Sequence, residues 1–331
     1  MSWRVQTQPA NAPDGLQPPV IRTLASKGRI MKQAIKALVK RVPFISDLSK
    51  QVSKQGAYPA GHYYSPIPAR EDVLSYVKSR TTPASDLPGI NLNEKNQREA
   101  LAEYTRFYHD LPFPEKQTTT HRYYYENGWF SYSDAIFLYS FLRQHAPKRI
   151  IEIGSGFSSA VMLDTIDGFF SQRPEVTFIE PYPDRLISLL RDSDREQVRL
   201  IDKKIQDVPL ETFFTLESGD LLFIDSSHVV KCGSDLQLLM FEILPRLRPG
   251  VFVHFHDVFY PFDYPTEWLT EGRYWNENYF LRAFLSYNSE WSIRFFNTYV
   301  HFMFGHLIRE KMPLCAKNQG GSLYIQREKR S

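Results

Sequence analysis

Blocks of apolar and polar residues alternate between residues 149 and 255, and they follow two different periods. Short apolar runs predict β-strands, and apolar residues at three- and four-residue spacing predict helices. The strands are predicted at 149–153, 175–180, 198–202, 220–225 and 250–255, and the helices at about 157–168, 182–193, 207–216 and 233–247. Strands that alternate with helices are joined by right-handed crossovers, so this region predicts a parallel sheet with helices on both faces.

The pattern changes after residue 255. A helix is predicted at 276–288, a strand at 291–300, a loop at 301–320 and a short final strand at 322–326. Five parallel strands followed by a helix and two late strands differ from the layout of two nucleotide-binding halves. The sequence therefore predicts one α/β domain over residues 131–331.

The N-terminal part of the chain has a different character. Residues 1–28 are rich in Pro, Gln, Ala and Asn and are predicted to be a disordered tail. Residues 29–130 are predicted to form a helical extension and a cap. Within them, apolar spacing predicts helices at 69–80 and 94–109, and three prolines predict an ordered loop or extended segment at 57–68.

An amphipathic helix is predicted at 29–42. Its apolar face holds Met31, Ala34, Ile35, Leu38 and Val42, and Lys32, Lys36 and Lys40 share another face. One interpretation is a peripheral membrane contact through residues 29–45, held by anionic lipid. The other is a helix that docks on the body of the protein or on a second subunit of a homo-oligomer.

The segment His121–Phe130 mixes aromatic and polar residues directly before the α/β domain. Such a mixture beside a ligand-binding fold suggests a cap over the site. Ser131 or Ser133 can cap the N-terminus of the next helix, which is predicted to end before Pro147.

Composition narrows the class of protein. The hydrophobic content of 42% and the aromatic content of 15% fit a globular chain. Two cysteines, Cys232 and Cys315, make no disulfide framework and indicate a reducing compartment. No apolar run reaches the roughly 20 residues of a membrane span, and the first residues lack the apolar core of a signal peptide. We expect a cytoplasmic protein, with membrane association through residues 29–45 as the added possibility.

Positive charge is concentrated at the N-terminus. Residues 1–60 hold ten Lys and Arg and two Asp, so the net charge of +3 leaves residues 61–331 with an excess of five acids. The α/β domain is therefore mildly acidic, which argues against a nucleic-acid-binding surface.

The first strand of this domain leads into a glycine loop. Glu152, Gly154, Ser155 and Gly156 interrupt the apolar run, and a helical pattern starts at Phe157. Glycine lets the backbone approach a ligand closely, and a helix N-terminus offers unpaired N–H groups. This turn predicts a nucleotide-binding loop.

Polar residues end the other four strands, where ligands bind in open parallel sheets. They are Glu180, then Gln206 and Asp207, then Asp225 and His228, and finally His254, His256 and Asp257. Glu180 is positioned to accept both ribose hydroxyls of an adenosine ligand, and a carboxylate after the third strand to accept a proton from the adenine amino group.

This combination resembles the class I S-adenosylmethionine-dependent methyltransferases over about residues 130–326. The resemblance implies a Rossmann-like, seven-stranded sheet whose seventh strand is antiparallel. It places Gly154 and Gly156 close to the methionine part of S-adenosylmethionine, Glu180 at the ribose, and Gln206 and Asp207 at the adenine. It also implies that Glu152, Ser155 and Ser158 bind the cofactor. Ser158 stands at the third small position of the family's glycine loop.

Three motifs resemble a subgroup, the bacterial sugar and natural-product O-methyltransferases, which include macrocin-type enzymes and proteins labelled cephalosporin hydroxylase. They are Glu-Ile-Gly-Ser-Gly-Phe-Ser-Ser, Phe-Ile-Asp-Ser-Ser-His and His-Asp-Val. The segment Gly61–Pro68 is similar to one found ahead of this domain in polysaccharide-cluster methyltransferases. The resemblance implies a small-molecule or glycan acceptor.

Methyl transfer to a sugar hydroxyl needs a general base or a metal ion, because the hydroxyl is a poor nucleophile at neutral pH. The resemblance implies metal ligands at Asp225, His256 and Asp257. His256 replaces an Asp of the family, so Fe²⁺, Mn²⁺ or Zn²⁺ suits the set as well as Mg²⁺. Asp225, His228 and His254 are the catalytic candidates, and His254 is alternatively a buried, hydrogen-bonded strand residue.

Two other functions stay open. One is a non-catalytic binding or assembly protein of a glycan pathway that kept the fold. The other is an iron-dependent oxygenase that would use Asp225, His256 and Asp257.

Overall fold

A seven-stranded mixed sheet forms the centre of the computed structural model, which describes residues 56–83 and 85–328. The strands are β1 Arg149–Ile153, β2 Glu175–Ile179, β3 Val198–Ile201, β4 Leu221–Ile224, β5 Phe252–His256, β6 Trp291–Phe296 and β7 Ser322–Arg327. Their order is β3-β2-β1-β4-β5-β7-β6. The first five are mutually parallel, and β7 runs antiparallel between β5 and β6. The predicted Rossmann-like fold class is confirmed.

Helices cover both faces of this sheet. Within the described ranges they are α1 Arg70–Ser79, α2 Glu94–Thr105, α3 Tyr132–His145, α4 Phe157–Phe169, α5 Asp184–Leu189, α6 Asp235–Leu238, α7 Thr266–Glu271, α8 Glu277–Leu285 and α9 Asn297–Lys311. None of these helices is both long and apolar enough to span a membrane.

Successive residues of the central strands belong to two separate cores, because side chains alternate across a strand. Ile150 packs in the core formed with α3 and α4. Ile151 and Ile153 pack in the opposite core, with residues around α6 and α8. This double burial explains why β4 is a continuous apolar run and why the isoleucines of β1 lie on both faces of the sheet.

Three predicted helices are shorter or less regular than expected. The helix predicted at 182–193 divides into α5 and a 3₁₀ turn, Asp192–Glu196. The helix predicted at 207–216 is a pair of 3₁₀ turns, Ile205–Asp207 and Leu210–Thr215, because Pro209 between them has no N–H to donate. The helix predicted at 233–247 begins as α6 and continues through a π turn, Leu239–Ile243.

The strand predicted at 291–300 and the loop predicted at 301–320 are wrong in part. The strand ends at Phe296, and α9 begins at Asn297 and runs to Lys311. The buried residues of α9 include Val300, Phe304 and Ile308, which recur at four-residue spacing and therefore share one helix face. The apolar run at 291–300 thus contains both the end of β6 and the start of α9. Periodicity over only ten residues does not distinguish the strand from the helix.

The chain divides into two units, one that ends at Asp72 and one that begins at Val73. In the first unit, the described segment starts at residue 56 and carries a group of neighbouring rings from Tyr58, His62, Tyr63 and Tyr64. The predicted tail at 1–28, the helix at 29–42 and the membrane contact at 29–45 lie outside the described residues.

In the second unit, Arg122 anchors the aromatic segment 121–130 to the α/β body. Its side chain is buried and donates to Asp194 through Nε at 2.7 Å and to Asp164 through an Nη at 2.7 Å. The backbone N–H groups of Arg122 and Tyr123 both donate to Oδ2 of Asp164 at 2.9 Å. The segment therefore has a fixed place on α4 and on the 3₁₀ turn that follows α5.

We predict that Arg122→Ala destabilises the protein by about 3–5 kcal/mol, because it leaves buried carboxylates without a partner. Denaturant unfolding followed by circular dichroism measures the loss. Arg106→Ala is the matched control, because Arg106 makes an exposed pair with Glu103 at 2.7 Å and such pairs contribute little. Equal losses in the two variants would contradict the anchoring role of Arg122.

Candidate functional site

The glycine loop joins the ends of three strands. Gly154 has φ +77°, and a Cβ at this position would lie 1.8 Å from the carbonyl oxygen of Asp225. Its N–H donates to Ile179 O at 3.0 Å, and Asp225 N–H donates to Ile153 O at 2.8 Å. Only glycine fits here, since both the backbone conformation and the contact exclude a side chain.

Glu152 supports this loop from inside the protein. Its buried carboxylate accepts hydrogen bonds from the hydroxyls of Ser158, at 2.5 Å, and Ser159. Burial raises the pKa of Glu152 to about 8, although these hydroxyls act in the opposite direction. Ser159 Oγ in turn accepts from Gly156 N–H at 2.9 Å. Glu152 and Ser158, expected as cofactor contacts, thus bind each other and fix the start of α4.

A cavity of about 390 Å³ lies at the carboxyl ends of β1, β2 and β4. Its lining includes Gly154, Glu180, Gln206 and Asp225 of the expected residues, together with Lys204, Ile205, Ser226 and Lys231. Its size falls within the usual range for small-molecule sites, about 300–1,000 Å³. Ser155, Gly156 and Asp207 do not line this cavity, and the side chain of Asp207 is exposed.

Glu180 is held in place by backbone donors. Its carboxylate accepts from Ser155 N–H at 3.1 Å and from Tyr182 N–H at 2.8 Å. A carboxylate has about four lone-pair positions, so two acceptor positions stay available for a ligand in the cavity.

Next to this cavity, Asp225, His228 and Asp257 form a compact cluster at the ends of β4 and β5. One donor atom from each lies within 4.8 Å of the other two. His228 Nε2 is 3.4 Å from Asp225 Oδ1 and 3.6 Å from Asp257 Oδ2. His228 has φ +59° and Asp257 has φ +58°. Such backbone strain in non-glycine residues is concentrated at functional sites.

His256 faces the same two carboxylates from inside the protein. Its Nδ1 is 3.5 Å from Asp225 Oδ1 and 3.7 Å from Asp257 Oδ1. Its Nε2 is 3.6 Å from Oδ2 of the buried Asp134. The expected ligands Asp225, His256 and Asp257 therefore lie near one another, but the compact group of donor atoms contains His228 and not His256.

The charges of the cluster shift one another's pKa values. Burial opposes ionisation of Asp225, but His256 and His228 lower its pKa below the usual range. Burial also opposes protonation of His228, but hydrogen bonds to Asp225 and Glu277 raise its pKa to about 10. The pKa of Asp257 is raised by burial. With no other cation between the acids, these contacts therefore favour the protonated form of His228, and its role as a base stays a prediction.

Two residues that were not anticipated from the sequence hold the His228 ring. Glu277, the buried first residue of α8, places Oε2 at 2.8 Å from His228 Nδ1. Trp275 stacks on the ring with centroids 4.3 Å apart. Both residues lie nearly 50 positions after His228. The sequence pattern there indicates only a helix, so it carried no signal for either residue.

His254 lies apart from the cavity. It is buried between Phe223, whose ring stacks at 3.9 Å, and Tyr324, whose ring stands edge-on at 4.6 Å. Burial lowers the pKa of its imidazole, and neither ring nitrogen has a hydrogen-bond partner within the described ranges. His254 therefore fits the alternative of a buried strand residue, although it lacks the hydrogen bond expected for that alternative. Its position does not fit the role of a catalytic base.

Two sequence comparisons bear on the family. Residues 151–258 match a family model described as "Methyltransferase domain". An uncharacterized protein from Archaeoglobus fulgidus is 37% identical over 172 residues, which cover 49% of this chain and 75% of that protein. The chain belongs to the same family as this archaeal protein.

Solved structures give a weaker likeness. The methyltransferase PaMTH1 from Podospora anserina, bound to SAH, is 17% identical with a TM-score of 0.37, covering 78% of this chain and 95% of that one. The O-methyltransferase TomG from Streptomyces achromogenes, in complex with SAM, is 14% identical with a TM-score of 0.39, covering 78% and 96%. With TM-scores this low, the fold assignment rests on the strand order.

Gly154→Ala should be far more disruptive than Gly128→Ala. The two glycines have nearly the same φ, +77° and +76°, but nothing lies within 4 Å of a Cβ on Gly128. Backbone strain alone costs about 1–2 kcal/mol, and the clash with Asp225 adds at least roughly 1–3 kcal/mol. Denaturant unfolding of both variants separates strain from clash, and equal losses would show that the close approach to Asp225 is unimportant.

Proposed function

We propose that this chain transfers a methyl group from S-adenosylmethionine to a hydroxyl of a sugar or glycan, with a divalent metal ion at the acceptor. The match of residues 151–258 to the methyltransferase family model supports the reaction. The proposal rests on one observation, which is that Asp225 belongs to two neighbouring features of the site. Asp225 lines the cavity over the glycine loop, and its carboxylate also belongs to the cluster with His228 and Asp257. A methyl donor in the cavity and an acceptor at the cluster would therefore meet at Asp225.

The cavity supports a nucleoside ligand. Glu180 has acceptor positions left for ribose hydroxyls after its two backbone contacts, and Ile205 and Gln206 offer an apolar and a polar contact for a base. The close packing of Gly154 keeps the loop free of side chains on this side.

The cluster fits a metal ion by its dimensions. Donor atoms bound to one ion at about 2.1 Å stand roughly 3.4 Å apart in tetrahedral geometry, and Asp225, His228 and Asp257 offer atoms 3.4 and 3.6 Å apart. A bound divalent ion would lower the pKa of an acceptor hydroxyl. The chain's own contribution is to hold these donors in place beside the cavity and to orient the acceptor.

An exposed aromatic residue beside the glycine loop supports a sugar as acceptor. Trp129 is 63% exposed, and the guanidinium of Arg185 lies 3.7 Å from the centre of its ring. Arg185 also lies next to the glycine loop, with Cδ 3.3 Å from a Cβ built on Gly156. The guanidinium covers one face of the indole, and the exposed part of the ring beside its N–H donors matches the apolar face and the hydroxyls of a sugar ring.

Glu180→Ala should weaken the binding of S-adenosylhomocysteine by about tenfold or more, because charge-assisted hydrogen bonds to the ribose are lost. Isothermal titration calorimetry measures this loss. Glu175→Ala is the control, because Glu175 lies on the same strand at its opposite, exposed end. A wild-type protein that does not bind S-adenosylhomocysteine would exclude the proposed cofactor.

Transfer of labelled methyl from S-adenosylmethionine to a panel of nucleotide sugars and oligosaccharides should stop in EDTA and return with one divalent ion. Asp257→Asn should lower the rate by roughly 100-fold or more while S-adenosylhomocysteine still binds, because Asp257 belongs to the cluster and not to the lining of the cavity. Full activity in EDTA would contradict the metal. Oxygen consumption without methyl transfer would favour the oxygenase alternative.

A further inference from the structure

We propose that Glu277 is a positioning residue that turns His228 into a metal ligand, so that the cluster selects Mn²⁺, Fe²⁺ or Zn²⁺ over Mg²⁺. The inference rests on the proposed function, because it concerns the ion at the acceptor. Glu277 is not proposed to contact the methyl donor or the metal ion, because its side chain is only 2% exposed and lies behind the imidazole of His228.

The hydrogen bond of Glu277 determines which nitrogen of His228 faces the cluster. Its carboxylate oxygen Oε2 lies 2.8 Å from Nδ1, so Nδ1 carries the proton and donates it to the carboxylate. In a neutral imidazole, Nε2 then keeps its lone pair. Nε2 is the atom that lies 3.4 Å from Asp225 Oδ1 and 3.6 Å from Asp257 Oδ2. A carboxylate behind a histidine in this way is a common support for metal ligation.

The orientation of the ring is also fixed by contacts that do not depend on the charge of Glu277. Trp275 stacks on the His228 ring with an interplanar angle of 28°. The carbonyl of His228 accepts the N–H groups of Asn276 and Glu277, both at 3.2 Å. The side chain of Asn276 bonds both backbone groups of Val230. Substitution of the Glu277 side chain should therefore leave the loop in place.

A second observation points to a cation between the acids. His256 Nδ1 is buried and has no hydrogen-bond partner in the described part of the chain, yet it faces Asp225 and Asp257. A buried nitrogen that makes no hydrogen bond is costly unless an ion pair or a ligand satisfies it. Two imidazoles and two carboxylates are a donor set typical of Mn²⁺, Fe²⁺ and Zn²⁺, whereas Mg²⁺ prefers oxygen ligands.

The test is calorimetric titration of Mn²⁺, and separately of Mg²⁺, into the full chain after removal of metals. The wild type should bind one Mn²⁺ at least about tenfold more tightly than Mg²⁺. Glu277→Ala should weaken Mn²⁺ binding by about 10- to 100-fold, and Glu277→Gln by less, because its amide oxygen still accepts from Nδ1. S-adenosylhomocysteine affinity should not change in either variant.

Tyr279→Phe is the matched control, because Tyr279 lies on the same helix and donates to Asp263 at 2.8 Å, away from the cluster. It should bind Mn²⁺ as the wild type does. Unchanged Mn²⁺ affinity in both Glu277 variants, or a preference for Mg²⁺, would overturn the inference. If Glu277→Ala does not fold, the Mn²⁺ affinity of Glu277→Gln alone tests the inference. A wild type that binds S-adenosylhomocysteine but no Mn²⁺ refutes this inference and leaves the proposed cofactor in place, and one that binds neither also refutes the proposed cofactor.

Discussion

The close approach of Gly154 to the carbonyl of Asp225 is the constraint on which the site depends. It brings the carboxyl ends of β1 and β4 so near that no side chain fits between them. Gly154 and Asp225 both line the cavity, and Asp225 also belongs to the carboxylate–histidine cluster. Asp225 belongs to both, so a shift of the glycine loop would separate a donor from an acceptor.

The cluster is costly to form, and the surrounding structure supports it. Asp225, Asp257 and the buried Glu277 bring three carboxyl groups around one imidazole, and Asp257 also has a strained backbone. Asn278 accepts from Phe259 N–H and donates to Asp257 O, which fixes the chain directly after β5. Charged groups held close together and strained backbone are typical of functional sites, and packing alone does not require them.

The aromatic segment 121–130 also supports the cluster, through the contact of Phe130 with His256. Arg122 ties it to Asp164 and Asp194 through buried ion pairs. Eight residues later, Phe130 is buried with its ring 5.1 Å from that of His256. The ring of His256 therefore packs against a segment that lies more than one hundred positions earlier in the chain.

The sequence alone determined the parallel strands, the glycine loop and the placing of Glu180, Asp225, His228, His256 and Asp257 at strand ends, because these features follow from local periodicity and from the rule that parallel strands end at one edge. It did not separate β6 from α9, and it gave no sign of Asp134, Trp275 or Glu277. Only the tertiary structure decided that His254 is buried beside Phe223 and that Glu277 reaches His228. The direction of a side chain and contacts between distant segments depend on how the elements pack, which no local pattern encodes.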